Sequence, residues 1–445
     1  MFIPSKFNYL YVSNNKTLIY NSLSKILLIT DKDDSDVRKY ENISADTRIR
    51  KFLLDHHFLV HSDIDENAVA KLYRMEEVMK NDLQVMILPT SACNFQCVYC
   101  YETMKSFHMN KETQNRVKMF FNREVRYHRL VHVEWFGGEP LVQKELVYDL
   151  SESIISTCQR YGKPYRASIT TNGYLLDIAT FQRLLGYHVY TYCITLDGPS
   201  AVHDKLRPQK DGKGSFHKII QNLLDIKNKI ISHYFTIVLR INVTKDLLEC
   251  FEDFLEFLRY HFDDDPRFTF MFRIVGDYGG DRIAEIRSHL LDTVDVVYDQ
   301  LLRSKITLDY RAHYALLSNS VCSAAKRHAY TLYMDGSIYK CNSLVGDEKG
   351  YIGSLGQHGE LIIDEGLLSR WIATNCNNDQ KKCVDCKFAP SCNNCPAKEH
   401  VMNGERPCIY TENRLDKLLE LLTRGLEKRQ YGFVYKLDKG EIISC

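Results

Sequence analysis

The sequence predicts an α/β protein built on six parallel strands, with a small α+β module before them and a cysteine-rich region after. Three observations predict it. From about Asp82, runs of strand length alternate with amphipathic helical stretches six times. Ahead of that point the rhythm differs, with three short strand-like runs and then two helical stretches. After about Leu316 the alternation stops, and cysteine, asparagine, glycine and lysine become frequent.

Residues 1–82 open the chain. FNYLYV, KTLIYN and KILLIT read as strands, the first two joined by a tight polar turn at Ser13, Asn14 and Asn15. TRIRKFLLDHHFLV and ENAVAKLYRMEEVMK read as amphipathic helices, which together give a winged-helix-like module. Residues 83–315 form the core. Its strands are LQVMILPT, VHVEWFGG, YRASITTNG, VYTYCITLDG, FTIVLRINV and RFTFMFRIV. Between them lie helices such as KELVYDLSESIISTCQRY and LECFEDFLEFLRYHF, the latter with Phe251, Phe254, Leu255 and Leu258 on one face. Repeated alternation requires parallel strands with right-handed crossovers, as an open doubly wound sheet or a curved, incomplete barrel. In both, ligands collect at the C-terminal ends of the strands. CNFQCVYC, GGEP, TTNG and LDGP each follow a predicted strand, so four loops converge on one rim.

Composition excludes several functions. The chain has 445 residues and a net charge of +1, with Lys and Arg spread rather than blocked. A nucleic acid or an anionic membrane surface would require a basic patch, so neither is expected as a partner. No apolar run reaches spanning length, and MFIPSKFNYL has none of the sections of a signal peptide. A cytoplasmic location is expected.

Cysteine is the outlier, with 15 residues. In a reducing compartment, clustered cysteines read as metal ligands rather than disulfides. Cys158, Cys193 and Cys250 are scattered, and small buried packing residues are the expectation there. Cys93, Cys97 and Cys100 lie within eight positions. A C-x3-C-x2-C loop can bring three thiolates to one face of an iron–sulfur cube and leave one iron open for chemistry. By spacing alone, a zinc site completed by a distant residue competes with this reading. At the far end, Cys383, Cys386, Cys392 and Cys395 taken alone suit a zinc knuckle.

The motifs together resemble the radical SAM superfamily. CNFQCVYC matches its cysteine signature with an aromatic, Tyr99, before the third Cys, and WFGGEP, TTNG, TLDGP, HDKLRP and GSF follow in the order of one large subgroup. The resemblance implies a partial (β/α)6 TIM-like barrel. It implies that Cys93, Cys97 and Cys100 hold a [4Fe–4S] cluster whose open iron chelates S-adenosylmethionine, giving a 5′-deoxyadenosyl radical. It places Gly137, Gly138, Glu139 and Pro140 at the methionine amino group, Thr195 and Arg207 at the carboxylate, Tyr99 beside the adenine and Asn172 as a further contact. An electron donor such as flavodoxin or ferredoxin is implied.

Residues 316–410 resemble the SPASM extension, which carries two auxiliary [4Fe–4S] clusters. Cys322, Gly336, Cys341, Cys383, Cys386, Cys392, Cys395 and Cys408 follow its pattern, except that two residues rather than three separate Cys392 from Cys395. The pattern gives Cys383, Cys386, Cys392 and Cys408 to an outer cluster. It gives Cys322, Cys341 and Cys395 to an inner one, with Cys376 or an open iron as the fourth position. Residues 411–445 close the chain as a helix and tail. Radical SAM enzymes with SPASM extensions that act on polypeptides include peptide maturases of the sactipeptide and ranthipeptide type and anaerobic sulfatase-maturating enzymes. An N-terminal module resembling a leader-binding domain favours the former: a thioether or C–C cross-link in a ribosomal precursor peptide with a leader. Formylglycine formation on a sulfatase is the alternative, and a zinc-binding interaction protein the outsider.

Overall fold

Strands at the two ends of the chain belong to one sheet. The computed structural model describes residues 1–13, 16–31, 48–102, 106–276, 282–291, 294–306, 308, 321–376, 383, 385–392, 395–397, 412–425, 434–438 and 441–444. It divides into two units: residues 1–79, 307–326 and 372–445, and residues 80–306 with 327–371.

In the first unit, β1 (Phe2–Pro4) pairs with β5 (Leu59–His61), while β2 (Asn8–Ser13), β3 (Lys16–Asn21) and β4 (Ile26–Asp31) form an antiparallel meander. The expected strands are thus present. The C-terminal strand Val434–Asp438 joins in parallel beside β4 and is flanked by Glu441–Ser444, giving five strands with β2 at one edge. A sheet with alternating apolar residues on both faces needs cover on both. On one face, Tyr9, Leu18, Tyr20, Leu27 and Ile29 pack with Phe388 and with Leu415, Leu418 and Leu419 of the helix Glu412–Gly425. Tyr9 and Tyr11 cap that contact, donating to Asp416 (2.6 Å) and Glu420 (3.0 Å). On the other, Ile19, Ile26 and Leu28 pack with Leu53 of α1 (Arg48–Asp55) and with Phe58 and Leu437. Helix α2 (Glu66–Met79) follows, with Glu66 accepting from Ser5 Oγ and Lys6 N.

The second unit carries the barrel. Strands β6 (Asp82–Ile87), β7 (Leu130–Trp135), β8 (Tyr165–Thr171), β9 (Val189–Thr195), β10 (Thr236–Val243) and β11 (Phe268–Ile274) lie side by side in chain order, every pair parallel. An order without reversal is that of a barrel wall, not of a doubly wound sheet, and decides between the two expected arrangements. Helices α3 (Lys111–Glu124), α4 (Lys144–Arg160), α5 (Ile178–Gly186), α6 (Ser200–Leu206), α7 (Phe216–Lys229), α8 (Lys245–Leu248) and α9 (Phe251–Phe262) occupy the crossovers. Helix α9 buries Phe251, Phe254, Leu255 and Leu258, as the spacing predicts. The sheet then continues past β6. Strand β12 (Ala329–Leu332) adds in parallel, and β13 (Ser337–Tyr339), β14 (Tyr351–Leu355) and β15 (Leu361–Ile363) follow antiparallel. The β12–β13 turn explains the Gly336 of the cysteine pattern: its φ of +94° favours glycine, and the hairpin returns the chain to Cys341. Among the described residues no helix is long and apolar enough to cross a membrane.

Candidate active site

The loop after β6 that carries CNFQCVYC is held from both sides by backbone bonds. Gln96 N and Val98 N donate to the carbonyls of Pro208 and Leu206, each at 3.0 Å, and Lys210 N donates to Asn94 O at 3.1 Å. The HDKLRP segment therefore grips the cysteine loop. On the other side Gly138 N donates to Thr90 O (3.1 Å) and Glu139 N to Ala92 O (2.9 Å). A Cβ on Gly138 would stand 2.5 Å from Ser91 O, and one on Gly137, at φ +113°, 2.5 Å from Thr90 O. The two glycines are there because the GGEP loop touches the backbone leading into Cys93.

Cys93 is buried, while Cys97 and Cys100 are half-buried, and all three are free thiols. Burial pushes the Cys93 thiol up to about 12 and the Cys100 thiol up to about 11, and raises Cys97 as well. Left alone, these groups stay protonated; a bound cation is what makes thiolates of them. Phe95 N donates to Cys93 Sγ at 3.3 Å. Among the described residues no three His, Cys, Asp or Glu side chains already converge at metal-ligand geometry.

Two networks fix the rim around this loop. Glu139 is fully buried and accepts from Thr171 Oγ1 (2.7 Å), Asn172 N (2.7 Å) and Leu141 N (3.0 Å). Burial raises its pKa, and these donors oppose the rise. Asn172 also donates through Nδ2 to Asn94 Oδ1 at 2.8 Å, so TTNG ties GGEP to the cysteine loop. In the second network Tyr99 OH donates to Asp197 Oδ2 and accepts from Arg207 Nη1 (2.6 Å) and Asn242 Nδ2 (3.2 Å). Asp197 also accepts from Asn242 N (2.9 Å) and lies 3.8 Å from Arg207. His203 stands behind it. Asp197 N donates to its Nδ1 (3.1 Å), so the proton sits on Nε2, facing Ser215 Oγ at 3.1 Å.

The concave face of the barrel is polar. Register and burial place Met86, Glu134, Ser168, Thr170, Cys193, Arg240, Asn242, Met271 and Arg273 on it, while Val133, Ile169, Ile194, Leu239 and Ile241 face the helices, nearly or fully buried. A barrel interior filled for stability alone is dominated by branched apolar residues, so this one is built to receive a polar guest. Glu134, pushed up to about 7 by burial and opposed by the Thr170 hydroxyl, can take or release one proton near neutral pH. Cys193, expected as apolar packing, lies instead on this face, half-buried, where Arg240 and Glu134 act on it electrostatically. Its apolar neighbours in sequence belong to the other face. Beside the barrel, Tyr101, Glu102, Phe107, Tyr333, Tyr339 and Ser343 line a cleft of about 570 Å³, with a buried Glu102 Oε1 that has no hydrogen-bond partner. Sequence reasoning missed Glu134, Arg240 and Asn242. The available signal was a charged or amide residue at the inward parity of an otherwise apolar central strand.

The cysteine-rich end is described in parts. Cys322, Cys341, Cys383, Cys386, Cys392 and Cys395 are half-buried. Consecutive turns wind the knuckle: Cys386 N donates to Cys383 O, Ala389 N to Cys386 O and Cys392 N to Ala389 O. Cys386 packs against the core under the first unit's sheet. The helix Glu365–Cys376 ends at the cysteine proposed as a possible fourth ligand. Cys408 lies outside the described residues.

Residues 87–258 match the model of the radical SAM superfamily. This chain carries a radical SAM domain. Its matched span runs from the last residue of β6, just ahead of the cysteine loop, into α9, so the networks described above lie within it. Over a longer span the chain is 24% identical, across 373 residues, to a cysteine-type anaerobic sulfatase-maturating enzyme of Clostridium novyi (strain NT), covering 74% of this chain and 93% of that protein. It is 31% identical over 152 residues to a serine-type anaerobic sulfatase-maturating enzyme of Bacteroides thetaiotaomicron, covering 32% of this chain and 36% of that one. The fold is similar to that of anSMEcpe with bound AdoMet and the Kp18Cys peptide, with a TM-score of 0.56 and 18% identity, covering 78% of this chain and 98% of that one. The radical SAM domain makes the protein an enzyme of that superfamily, whose cofactors are a [4Fe–4S] cluster and S-adenosylmethionine. The residues present fit them. One loop supplies three sulfurs, and two buried donors beside it, Asn94 Nδ2 and Arg207 Nε, have no hydrogen-bond partner.

Proposed function

We propose that the enzyme modifies a cysteine-bearing precursor peptide, joining the cysteine sulfur to a carbon of a second residue. One S–H and one C–H bond are lost and one C–S bond forms, a two-electron oxidation of the peptide. When bound, the cluster and S-adenosylmethionine supply the radical, held by Cys93, Cys97 and Cys100 with the GGEP loop. The chain's own residues orient and exclude. HDKLRP and GGEP clamp the cysteine loop, and the Tyr99–Asp197–Arg207–Asn242 network locks the rim at the ends of β9 and β10. The polar concave face accepts the substrate side chain, with Glu134 as a group able to hold a proton there. Two auxiliary clusters, assigned by pattern to Cys322, Cys341, Cys383, Cys386, Cys392, Cys395 and Cys408, would take up the surplus electron.

The observation that carries the peptide-maturase reading is the open edge of β2. It pairs with β3 on one side and with no described strand on the other, and Leu10 and Val12 on it are 51% and 53% exposed. Such an edge binds an extended leader by strand addition. A second reading, formylglycine formation on a sulfatase cysteine, is favoured by the Clostridium novyi relative, 93% of whose length this chain covers. Mass spectrometry separates them. Anaerobically reconstituted enzyme, with S-adenosylmethionine and dithionite, is given two probes: a cysteine-bearing precursor peptide with its leader, and a peptide around a sulfatase active-site cysteine. The thioether reading expects the first to lose two hydrogens and its free thiol while retaining sulfur. An aldehyde with loss of sulfur in the second probe, and no change in the first, overturns it in favour of formylglycine.

A further inference from the structure

Helix α2 carries its apolar residues on the wrong side for a core helix. Its buried residues are Glu66, Arg74 and Val78, two of them charged. Glu66 is held by Ser5 and Lys6, Arg74 Nη1 donates to Ala389 O at 3.4 Å, and Val78 packs with Val321, Ala325 and Ile372. The opposite side presents Ala68, Leu72, Met75 and Met79, all exposed, Leu72 to 55%. Exposed Ile64 extends the patch just ahead of the helix. A contiguous apolar face of this kind on a folded helix marks a surface that something else covers.

Spacing and charge define the cover. Ala68, Leu72, Met75 and Met79 are separated by four, three and four residues, the seam of a two-stranded coiled coil. On a helical wheel all four fall within about 60°. Lys71 and Glu76 flank the seam on opposite sides, both exposed. Neither has an ion pair or a side-chain hydrogen bond among the described residues. They stand five residues apart, the offset at which the g position of one helix meets the e position of a parallel partner. With a two-fold axis along the seam, Lys71 therefore faces the partner's Glu76 on each side, and the apolar residues meet their own copies. Antiparallel helices would set g against g and e against e, leaving both charges unmatched. Because α2 is already folded against its own unit, its short length carries no nucleation cost.

We propose that α2 is a self-association surface, on which two copies of this chain pair in parallel through Ala68, Leu72, Met75 and Met79, with Lys71 bound to the partner's Glu76. Two heptads cover less than a standard interface, so the association is weak, with a dissociation constant of about 10 to 100 µM.

Sedimentation velocity on full-length, anaerobically cluster-loaded protein tests this across a concentration series. Wild type should pass from monomer to dimer. Leu72→Glu, in the middle of the seam, should raise the dissociation constant about 30-fold or more. Lys71→Glu and Glu76→Lys should each raise it about five- to thirtyfold, since each sets two like-charged pairs across the seam. An equimolar mixture of those two variants should recover most of the wild-type association, because each supplies the charge that the other lacks. Circular dichroism and iron content check that every variant is folded and loaded; should Leu72→Glu not fold, the charge variants and their mixture decide alone. Wild type that stays monomeric up to about 500 µM, well above the expected constant, overturns the proposal. So does a dimer that survives Leu72→Glu, or a mixture of the charge variants that associates no better than either alone. Weaker binding of labelled precursor peptide by Leu72→Glu, with wild type monomeric throughout, would give the stripe to the peptide and exclude the second copy.

Discussion

His203 shows how a residue that reads as part of a motif can owe its place to packing. It is completely buried, and burial, reinforced by the positive charge of Arg207 and opposed by Asp204, pushes its pKa down to about 3. An unfolded chain would titrate near 6.5. Between those values the unfolded state takes up a proton that the folded state refuses, so stability falls as pH drops below about 6.5. From pH 7 to pH 5 the loss through this residue is about 2 kcal/mol. In His203→Gln the amide can still accept from Asp197 N and donate to Ser215, but it does not titrate. Urea unfolding at the two pH values should show the variant losing about 2 kcal/mol less than wild type; equal losses would mean that His203 is protonated in the fold. The sequence placed His203 in HDKLRP but gave no sign of its tautomer. The same holds for Arg207. Its motif position was legible, whereas its engagement by Tyr99 and Asp197 depends on strand ends far apart in sequence.

At the scale of elements, the alternation of six strands and helices was legible because burial on two sides makes parallel strands continuously apolar, with turn signals between them. Strand β12 was not. TLYM is too short to announce a strand, and it becomes one only because β6 offers a free parallel edge. The C-terminal strand Val434–Asp438 is a similar case, completed by β4. Its insertion changes how leader binding must be tested. Deleting residues 1–80 would remove the core on which Phe388, Cys386 and the helix Glu412–Gly425 pack, so lost binding would reveal nothing about β2. A point change is cleaner. Phe7 O accepts from Ser22 N and Asn8 N turns away to Ser5 O, so by strand alternation the N–H groups of Leu10 and Val12 face the open edge. Leu10→Pro removes an outward donor and no rung of the β2–β3 ladder. Fluorescence polarisation with the labelled precursor should show binding weakened about fivefold or more, as expected for one lost backbone bond plus a blocked edge. Unchanged affinity in a folded variant would take the leader away from β2.

For the whole molecule, the decisive quantity is how many clusters the chain carries, since that separates its large-scale readings. The radical SAM domain accounts for three cysteines, and the remaining pattern is a matter of spacing, with one residue missing between Cys392 and Cys395. The structure gives a reason why that departure need not abolish a site. Successive turns from Cys383 through Cys392 wind the knuckle by its own backbone, and the loop is anchored by Phe388 and Cys386 in an apolar core rather than by its ligands alone. A metal loop seated this way can absorb a shorter spacer at its end, because the first three ligands are positioned without the fourth. Iron, zinc and sulfide are therefore expected at about twelve irons per chain, three cubes of four, with little zinc. Cys386→Ala should lower the count by about four and leave cleavage of S-adenosylmethionine intact, since the cysteine loop of the radical SAM domain is clamped by HDKLRP and GGEP within its own unit. About four irons in wild type, with zinc in the remainder, would remove the auxiliary pair and with it the electron acceptor on which thioether formation relies. The polar barrel and its radical site would stand, but the surplus electron would have to return to the cofactor, and a reaction that consumes no net oxidant would become the better reading.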